Sequence, residues 1–222
     1  MPKRSVFFLH YIKISLILTA CSLVLLTTGC IRFLPLFSTP PATIVDSELY
    51  FKNIKSLPPE VIEKLPSDLV YYSAASPMDG YASPSNFSEV VYNHLSLNFL
   101  WTGAQHSQSP AGTTYAAMPS LGQKAARDTT ELCITSEFTK ETFKLIAILD
   151  WDDTGTTDWL VLYKFESLMQ PENSTRLLLI RDIQENKLLT ATVLSVTECY
   201  GNACKEYSGD KLTKFLGYKP AL

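Results

Sequence analysis

Histidine and basic side chains are scarce in this sequence. Of its 222 residues, three are histidine, and the 19 lysines and arginines are outnumbered by 22 aspartates and glutamates. No basic run is interleaved with aromatic residues, whereas binding of a nucleic acid depends on positive charge matched to the phosphates. We therefore expect no nucleic acid among the partners of this protein.

The common local signatures of catalysis are also missing. The sequence has no GxSxG, no HExxH, no phosphate-binding glycine loop and no Cys/His motif. His94 and His106 stand without a nucleophile at a recognised spacing, so we expect that the protein is not an enzyme. Residues 102–129 form an unusually long polar stretch. They keep one alternative open, a cell-envelope hydrolase with this stretch as its active-site loop.

The N-terminus, in contrast, combines positive charge with a long apolar run. Lys3, Arg4 and Lys13 precede residues 14–31, which carry no charge. This order is typical of a secretory signal peptide, and the positive charge favours a cytoplasmic N-terminus. The rest of the chain carries 16 basic and 22 acidic residues. The sequence thus predicts an acidic domain outside the cytoplasm.

The apolar run ends in a pattern with a family resemblance. Residues 26–30 read Leu-Thr-Thr-Gly-Cys, which resembles the lipobox of bacterial lipoproteins. The resemblance implies that Cys30 receives a diacylglycerol on its sulfur, that residues 1–29 are removed, and that Ile31 directs sorting to the outer membrane, facing the periplasm. Cys21 is the alternative lipidation site. An uncleaved transmembrane helix is a third outcome, because the run is long enough to span a bilayer.

The chain divides into three segments on this interpretation. Residues 1–29 are predicted to be the signal peptide, and residues 30–42 the lipidated cysteine followed by a proline-containing tether. Residues 43–222 are predicted to form a single β-rich extracytoplasmic domain, since their number suits one domain of common size.

The domain has the pattern of an antiparallel sheet. Five segments rich in β-branched or aromatic residues are separated by short turns, at 131–138, 142–149, 159–166, 175–181 and 188–199. Short connections favour antiparallel neighbours. We expect a mainly β fold, with α+β as the alternative: an antiparallel meander of about five or six strands with one or two short helices. Further expectations are helices within 56–66 and 205–216, strands at 69–72 and 87–101, and a loop at 102–129.

One loop of the domain carries oxygen ligands at alternating positions. Residues 150–158 read Asp-Trp-Asp-Asp-Thr-Gly-Thr-Thr-Asp, which resembles the DxDxDGxxD calcium loop in its strand-flanked form. The resemblance implies a structural calcium site, in which glycine permits the sharp turn and hard oxygen atoms bind the ion. The implied ligands are Asp150, Asp152, Thr154, Thr156 and Asp158. A solvated hairpin turn explains the same residues without a metal.

Three cysteines lie beyond the N-terminal apolar run. Cys199 and Cys204 flank a four-residue turn that contains Gly-Asn, and an extracytoplasmic compartment permits disulfides. We therefore predict a disulfide between Cys199 and Cys204 and a free thiol at Cys133. Pairing of Cys133 with one of the other two is the alternative.

Together these patterns favour a membrane-anchored, non-enzymatic envelope lipoprotein with a binding or structural role. The lipid anchor attaches it to the membrane, an envelope protein is the expected partner, and calcium is expected to stabilise the domain. Two alternatives belong to other classes. One is the hydrolase described above, and the other is a calcium-dependent ligand-binding module in which Trp151 and Trp159 present ring faces to a sugar.

Overall fold

The described part of the chain begins at residue 40. The computed structural model describes residues 40–72, 80–81, 84, 86–108, 112–118 and 124–220, which belong to one compact unit, Pro40–Leu222. The predicted signal peptide, both candidate lipidation sites and most of the predicted tether lie outside the described residues. Within the described ranges, no helix is long and apolar enough to cross a membrane.

Strands are the main regular structure of the described residues, and short helices complete it. The strands are β1 (Ala42–Ile44), β2 (Leu69–Tyr71), β3 (Lys124–Arg127), β4 (Glu131–Thr135), β5 (Thr139–Leu149), β6 (Asp158–Ser167), β7 (Glu172–Ile180), β8 (Ala191–Tyr200) and β9 (Ala203–Ser208). The helices are α1 (Ser47–Ile54), α2 (Pro59–Ile62), α3 (Phe87–His94), a 3-10 helix (Leu97–Leu100), α4 (Gly103–Gln108) and α5 (Gly209–Leu216).

These strands form one sheet whose centre is an antiparallel meander. The strand order is β2-β1-β5-β6-β7-β8-β9, and β5 to β9 pair consecutively and antiparallel. β1 and β2 form a parallel pair at one edge. The predicted mainly β fold and its antiparallel meander are confirmed, and the described residues contain more short helices than the one or two expected.

The long strand β5 has two neighbours along one edge. Its N-terminal half pairs with β4, for example through Leu132 and Phe143, and β4 pairs in turn with β3. Its C-terminal end pairs with β1 through Thr43 and Ile148. The chain therefore enters the sheet beside the C-terminal end of β5. The β4–β5, β6–β7 and β8–β9 turns lie at the opposite end, which we call the distal end.

Alternating strand residues build two cores, one on each face of the sheet. Val161 and Leu178 belong to the core of the first face, which α3, the 3-10 helix and α5 cover. Leu160 and Leu179 belong to the core of the second face, which α1 and α2 cover. Each fully buried side chain of this kind contributes about 1.5–3 kcal/mol, so the hydrophobic effect holds the three layers together.

The expected strand at 87–101 is wrong, because this segment is α3 followed by the 3-10 helix. Phe87, Val90 and Val91 are buried at helical spacing, and Glu89 is exposed between them. Apolar residues alternate later in the segment, which suggested a strand, and two of them, Leu97 and Phe99, lie within the 3-10 helix. The helical spacing of the first turn fits packing on the sheet.

Two further expectations need correction. Residues 102–129 were expected to form a loop, but they contain α4 and β3. The expected helix within 205–216 begins only at Gly209, because the preceding residues extend β9 along β8. For β3 and for β9, pairing with a strand across a short turn supplies the backbone hydrogen bonds.

Candidate functional site

The 150–158 loop joins β5 to β6 and is closed by Asp150. This residue is 2% exposed. Its Oδ1 accepts a hydrogen bond from the Thr154 amide (2.9 Å) and its Oδ2 accepts one from the Gly155 amide (2.6 Å). Gly155 has a φ of +81°, a conformation that glycine adopts without strain. The Asp150 carboxylate thus stabilises the turn from inside.

Asp158, the first residue of β6, is fully buried. Its Oδ2 accepts a hydrogen bond from the Trp151 amide (2.9 Å) and its Oδ1 accepts one from the Asp182 amide (2.8 Å). Burial raises the pKa of Asp158, and the two amides and Arg181 oppose that rise. The carboxylate therefore connects the 150–158 loop to the segment between β7 and β8.

Asp152 has different surroundings from the other two carboxylates. Its Oδ2 lies 2.5 Å from Nη2 of Arg181, and its Oδ1 lies 3.7 Å from Nζ of Lys64. Asp152 is partly exposed, as are both cations. The ion pairs therefore neutralise its charge at the surface, where each pair contributes about 0–1 kcal/mol.

The five predicted calcium ligands are only partly brought together. The hydroxyl of Thr154 lies 3.3 Å from Oδ1 of Asp150 and 2.8 Å from the hydroxyl of Thr156. Asp152 and Asp158 instead contact the cations and amides described above. In the part of the chain that the structure describes, no three His, Cys, Asp or Glu side chains are grouped as a metal site requires. Calcium binding at this loop stays a prediction.

Aromatic side chains surround the loop. Burial, together with the negative charge of the loop aspartates, raises the pKa of Tyr81 to about 12. Trp151 and Trp159 are 1% and 4% exposed, so neither presents a ring face to a sugar. Trp159 packs on Phe87 with ring centroids 5.2 Å apart. Both tryptophans therefore serve the packing of the domain.

A second polar cluster is buried on the first face of the sheet. Oε2 of Glu141 accepts hydrogen bonds from the hydroxyls of Tyr115 and Tyr163, the latter at 2.8 Å. Burial raises the pKa of both tyrosines, which keeps them protonated as donors. Because Tyr115 lies within 102–129, these bonds hold part of the polar stretch against β5.

Arg176 is buried beside this cluster, with 8% of its surface exposed. Its Nη1 donates a hydrogen bond to the carbonyl of Phe99, and its Nε has no hydrogen-bond partner among the described residues. Desolvation lowers the pKa of Arg176. The contact with Phe99 attaches the 3-10 helix to β7.

The two histidines of the domain take part in local contacts. His106, on α4, stacks on Tyr218 with ring centroids 3.8 Å apart. The carbonyl of His94 accepts a hydrogen bond from the Leu189 amide at 2.8 Å. These contacts attach α4 and the end of α3 to neighbouring segments. These two contacts do not test the hydrolase alternative, which stays a prediction.

The predicted disulfide between Cys199 and Cys204 is confirmed. The two residues are directly opposite each other on β8 and β9, and their Cα atoms are 4.1 Å apart. Cys133 is a free, half-buried thiol, so its alternative pairing is excluded. The disulfide closes the β8–β9 hairpin next to its turn.

The distal end of the sheet exposes large apolar side chains that the sequence interpretation missed. Phe138, Leu168, Met169 and Tyr200 are 54%, 53%, 71% and 62% exposed, and we call them the distal apolar cluster. Three of them lie in the β4–β5 and β6–β7 turns, and Tyr200 ends β8. Turns usually carry glycine, proline, asparagine, aspartate or serine. Bulky apolar residues in two of the turns, β4–β5 and β6–β7, were the available signal.

Comparison with known proteins adds no family to this picture. No family model matches the sequence, and no curated protein or solved structure matches it. The function is therefore inferred from the motifs and the side-chain geometry given above.

Proposed function

We propose that this protein is a non-enzymatic envelope lipoprotein, anchored through Cys30, whose folded domain binds a partner protein. The lipobox-like residues 26–30 support the anchor, and the acidic composition after them supports a partner other than a nucleic acid. The proposed location is the outer membrane, on its periplasmic side. In this proposal residues 30–41 act as a tether between the lipid and β1.

The observation that carries the binding role is the placement of two features at opposite ends of one sheet. The chain enters at β1, where Thr43 pairs with Ile148 near the end of β5. The distal apolar cluster lies beyond the other end of β5, next to Thr139. β5 has 11 residues, so the ten steps from its first residue to its last span about 33 Å. An anchored domain of this form presents its exposed apolar residues away from its attachment point.

The anchor is tested with the full-length chain and a clickable fatty-acid label in bacterial cells. We expect label in the parent and in Cys21→Ser, and no label in Cys30→Ser, which should remain at the precursor mass because the peptidase requires the lipidated cysteine. Separation of the two membranes on a density gradient then tests the predicted outer-membrane location.

The alternative anchors give different results in the same labelling experiment. Loss of label in Cys21→Ser alone would assign the lipid to Cys21. A chain that stays in the membrane with no label in any version would contradict lipidation and support an uncleaved transmembrane helix.

The 150–158 loop has a structural role in this proposal. The two buried carboxylates, Asp150 and Asp158, accept backbone amide hydrogen bonds from both sides of the loop. These bonds support a rigid connection between β5 and β6. Calcium would add to this role if it bound there, and its contribution is a separate prediction.

A further inference from the structure

The turns that carry the distal apolar cluster are joined to one another. The Leu168 amide donates a hydrogen bond to the Phe138 carbonyl (2.7 Å), which links the β4–β5 and β6–β7 turns. The Gly201 amide donates to the Pro171 carbonyl (2.8 Å), which links the β6–β7 and β8–β9 turns. The apolar side chains therefore project from a connected base.

Local contacts fix each turn as well. The hydroxyl oxygen of Ser136 accepts a hydrogen bond from the Thr139 amide at 3.0 Å, and that of Ser167 accepts one from the Gln170 amide at 3.1 Å. Behind Tyr200, the Cys199–Cys204 disulfide closes the third hairpin. A surface held in this way loses little conformational entropy when a partner covers it.

The margin of the cluster is acidic. Residues 136–140, 166–173 and 198–205 carry it, and they contain four glutamates and two lysines. The charged residues in these ranges are Glu137, Glu166, Glu172, Glu198, Lys140 and Lys205. Lys164, just outside them, pairs with Glu166 at 2.8 Å, so with this lysine counted the margin keeps an excess of one negative charge. Electrostatic complementarity therefore favours a partner whose margin is basic.

A lipid bilayer is a poor match for this surface. Membrane-inserting surfaces are surrounded by lysine and arginine, which anionic lipids attract, and an acidic margin is repelled. Eleven residues lie between Cys30 and Ala42, and the twelve Cα-to-Cα steps from one to the other span at most about 40 Å. The cluster would reach the bilayer only if the tether were almost fully extended. The length of β5, about 33 Å, separates the cluster from the point where the tether joins β1.

A second copy of the chain is also a poor match. Two identical surfaces would bring together margins that both have more glutamates than lysines, which disfavours association. A different protein with an apolar pocket and a basic margin would complement both the apolar side chains of the cluster and the acidic residues of its margin. Aromatic residues and methionine are enriched in such interfaces, and the cluster contains Phe138, Tyr200 and Met169.

We propose that the distal apolar cluster is the docking surface for this partner, with Leu168 and Met169 entering an apolar pocket whose margin is basic. The statement that this surface faces away from the membrane rests on the proposed function. The docking itself rests on the exposed side chains, the connected turns and the acidic margin.

Photocrosslinking in intact cells tests the proposal with the full-length, anchored chain. The probe is p-benzoylphenylalanine in place of Phe138, and the matched control places it at Phe51, an aromatic residue of α1 that is 41% exposed. We expect one discrete protein adduct from position 138 and not from position 51. Mass spectrometry should locate the crosslinked peptide beside apolar and basic residues of a different protein.

Two pairs of substitutions then test the chemistry of the surface. Leu168→Ser with Met169→Ser should reduce the adduct at position 138 by at least about tenfold, as loss of central apolar contacts does. Glu137→Lys with Glu172→Lys should reduce it several-fold, and the reduction should grow smaller at higher salt. All these residues are exposed, so the thermal midpoint should stay close to that of the parent.

Other outcomes overturn the proposal. An adduct of twice the chain mass would assign the surface to self-association, and an adduct to lipid would assign it to the membrane. No adduct, or one unaffected by the paired serine substitutions, would also reject the docking surface. The fatty-acid label tests the anchor independently of the crosslink. A chain that carries the label but forms no adduct would therefore reject the docking surface and leave the anchor in place.

Discussion

At the scale of single residues, Asp158 shows how one side chain can hold two distant segments. Its two carboxylate oxygens accept amide hydrogen bonds from Trp151 and Asp182. Asp158 is fully buried; the bond from Trp151 is buried with it, and the bond from Asp182 is partly buried. A buried amide that loses its acceptor keeps its desolvation penalty without compensation. The stability of the domain should therefore be sensitive even to a substitution at Asp158 that preserves the shape of the side chain.

Asp158→Asn tests this sensitivity. Asparagine offers one acceptor oxygen and places its NH2 group against the second amide, so we expect the free energy of unfolding to fall by about 1–3 kcal/mol. The matched control is Asp152→Asn, which removes only surface ion pairs and should cost less than about 1 kcal/mol. Urea unfolding of residues 40–222 at pH 7 measures both. Equal losses in the two variants would contradict the role given to Asp158.

At the scale of secondary structure elements, α1 depends on a cap that also carries an ion pair. Asp46 precedes the helix and accepts a hydrogen bond from the Leu49 amide at 3.0 Å. Its other oxygen lies 2.8 Å from Nζ of Lys144 on β5. Burial raises the pKa of Asp46, but Lys144 and the Leu49 amide outweigh it and lower the pKa below its usual value. One carboxylate thus starts the helix and attaches it to the sheet.

The cap predicts a pH-dependent effect of Asp46→Ala. At pH 7 we expect a loss of about 1 kcal/mol in the free energy of unfolding, the usual effect of removing an N-cap. Because the folded-state pKa is lowered, the ionised carboxylate stabilises above its unfolded pKa of 3.8 and ceases to do so as the pH falls through the folded pKa. The difference between variant and parent should therefore shrink below that range.

Asp46→Asn is the control for this measurement. Asparagine is also a good N-cap, so the free energy of unfolding at pH 7 should fall less in this variant than in the alanine variant. Some loss should remain, because asparagine forms no ion pair with Lys144. Urea unfolding at several pH values between 2.5 and 7 measures the series. A deficit of the alanine variant that stays constant down to the lowest pH would contradict the charged cap.

At the scale of the whole molecule, calcium binding is one of the predictions that remain from the sequence. The resemblance of residues 150–158 to a calcium loop predicts that calcium raises the thermal midpoint of residues 40–222 above its value in EDTA. At a concentration one hundred times Kd the gain is about 2.7 kcal/mol, which corresponds to several degrees for a domain of this size. Differential scanning calorimetry measures the shift.

The variant for the calcium test is Asp152→Ala. It removes one implied ligand and leaves the amide bonds of Asp150 and Asp158 in place. We expect it to fold and to lose the response to calcium. If the parent shows no response, the calcium prediction is wrong, and the loop is a hairpin closed by its own amides.

The sequence by itself determined those features of the fold that depend on residues close together in the chain. The strand segments between 131 and 199, the short turns between them and the Cys199–Cys204 pair follow from local composition and spacing. The N-terminal signal peptide also depends on a local pattern, and it stays a prediction. Residues 87–101 were misassigned because their apolar residues fit two periods, and the helical one is selected by packing against the sheet.

Only the tertiary structure decided which distant residues meet. Lys64 and Arg181 contact Asp152, and Asp182 contacts Asp158, because strand order brings three separate connections to one end of the sheet. In the same way, strand register gathers the distal apolar cluster from two turns and the end of β8 at the other end. A local pattern predicts a turn, but only the pairing of strands decides which turns lie side by side, and this pairing placed the proposed docking surface.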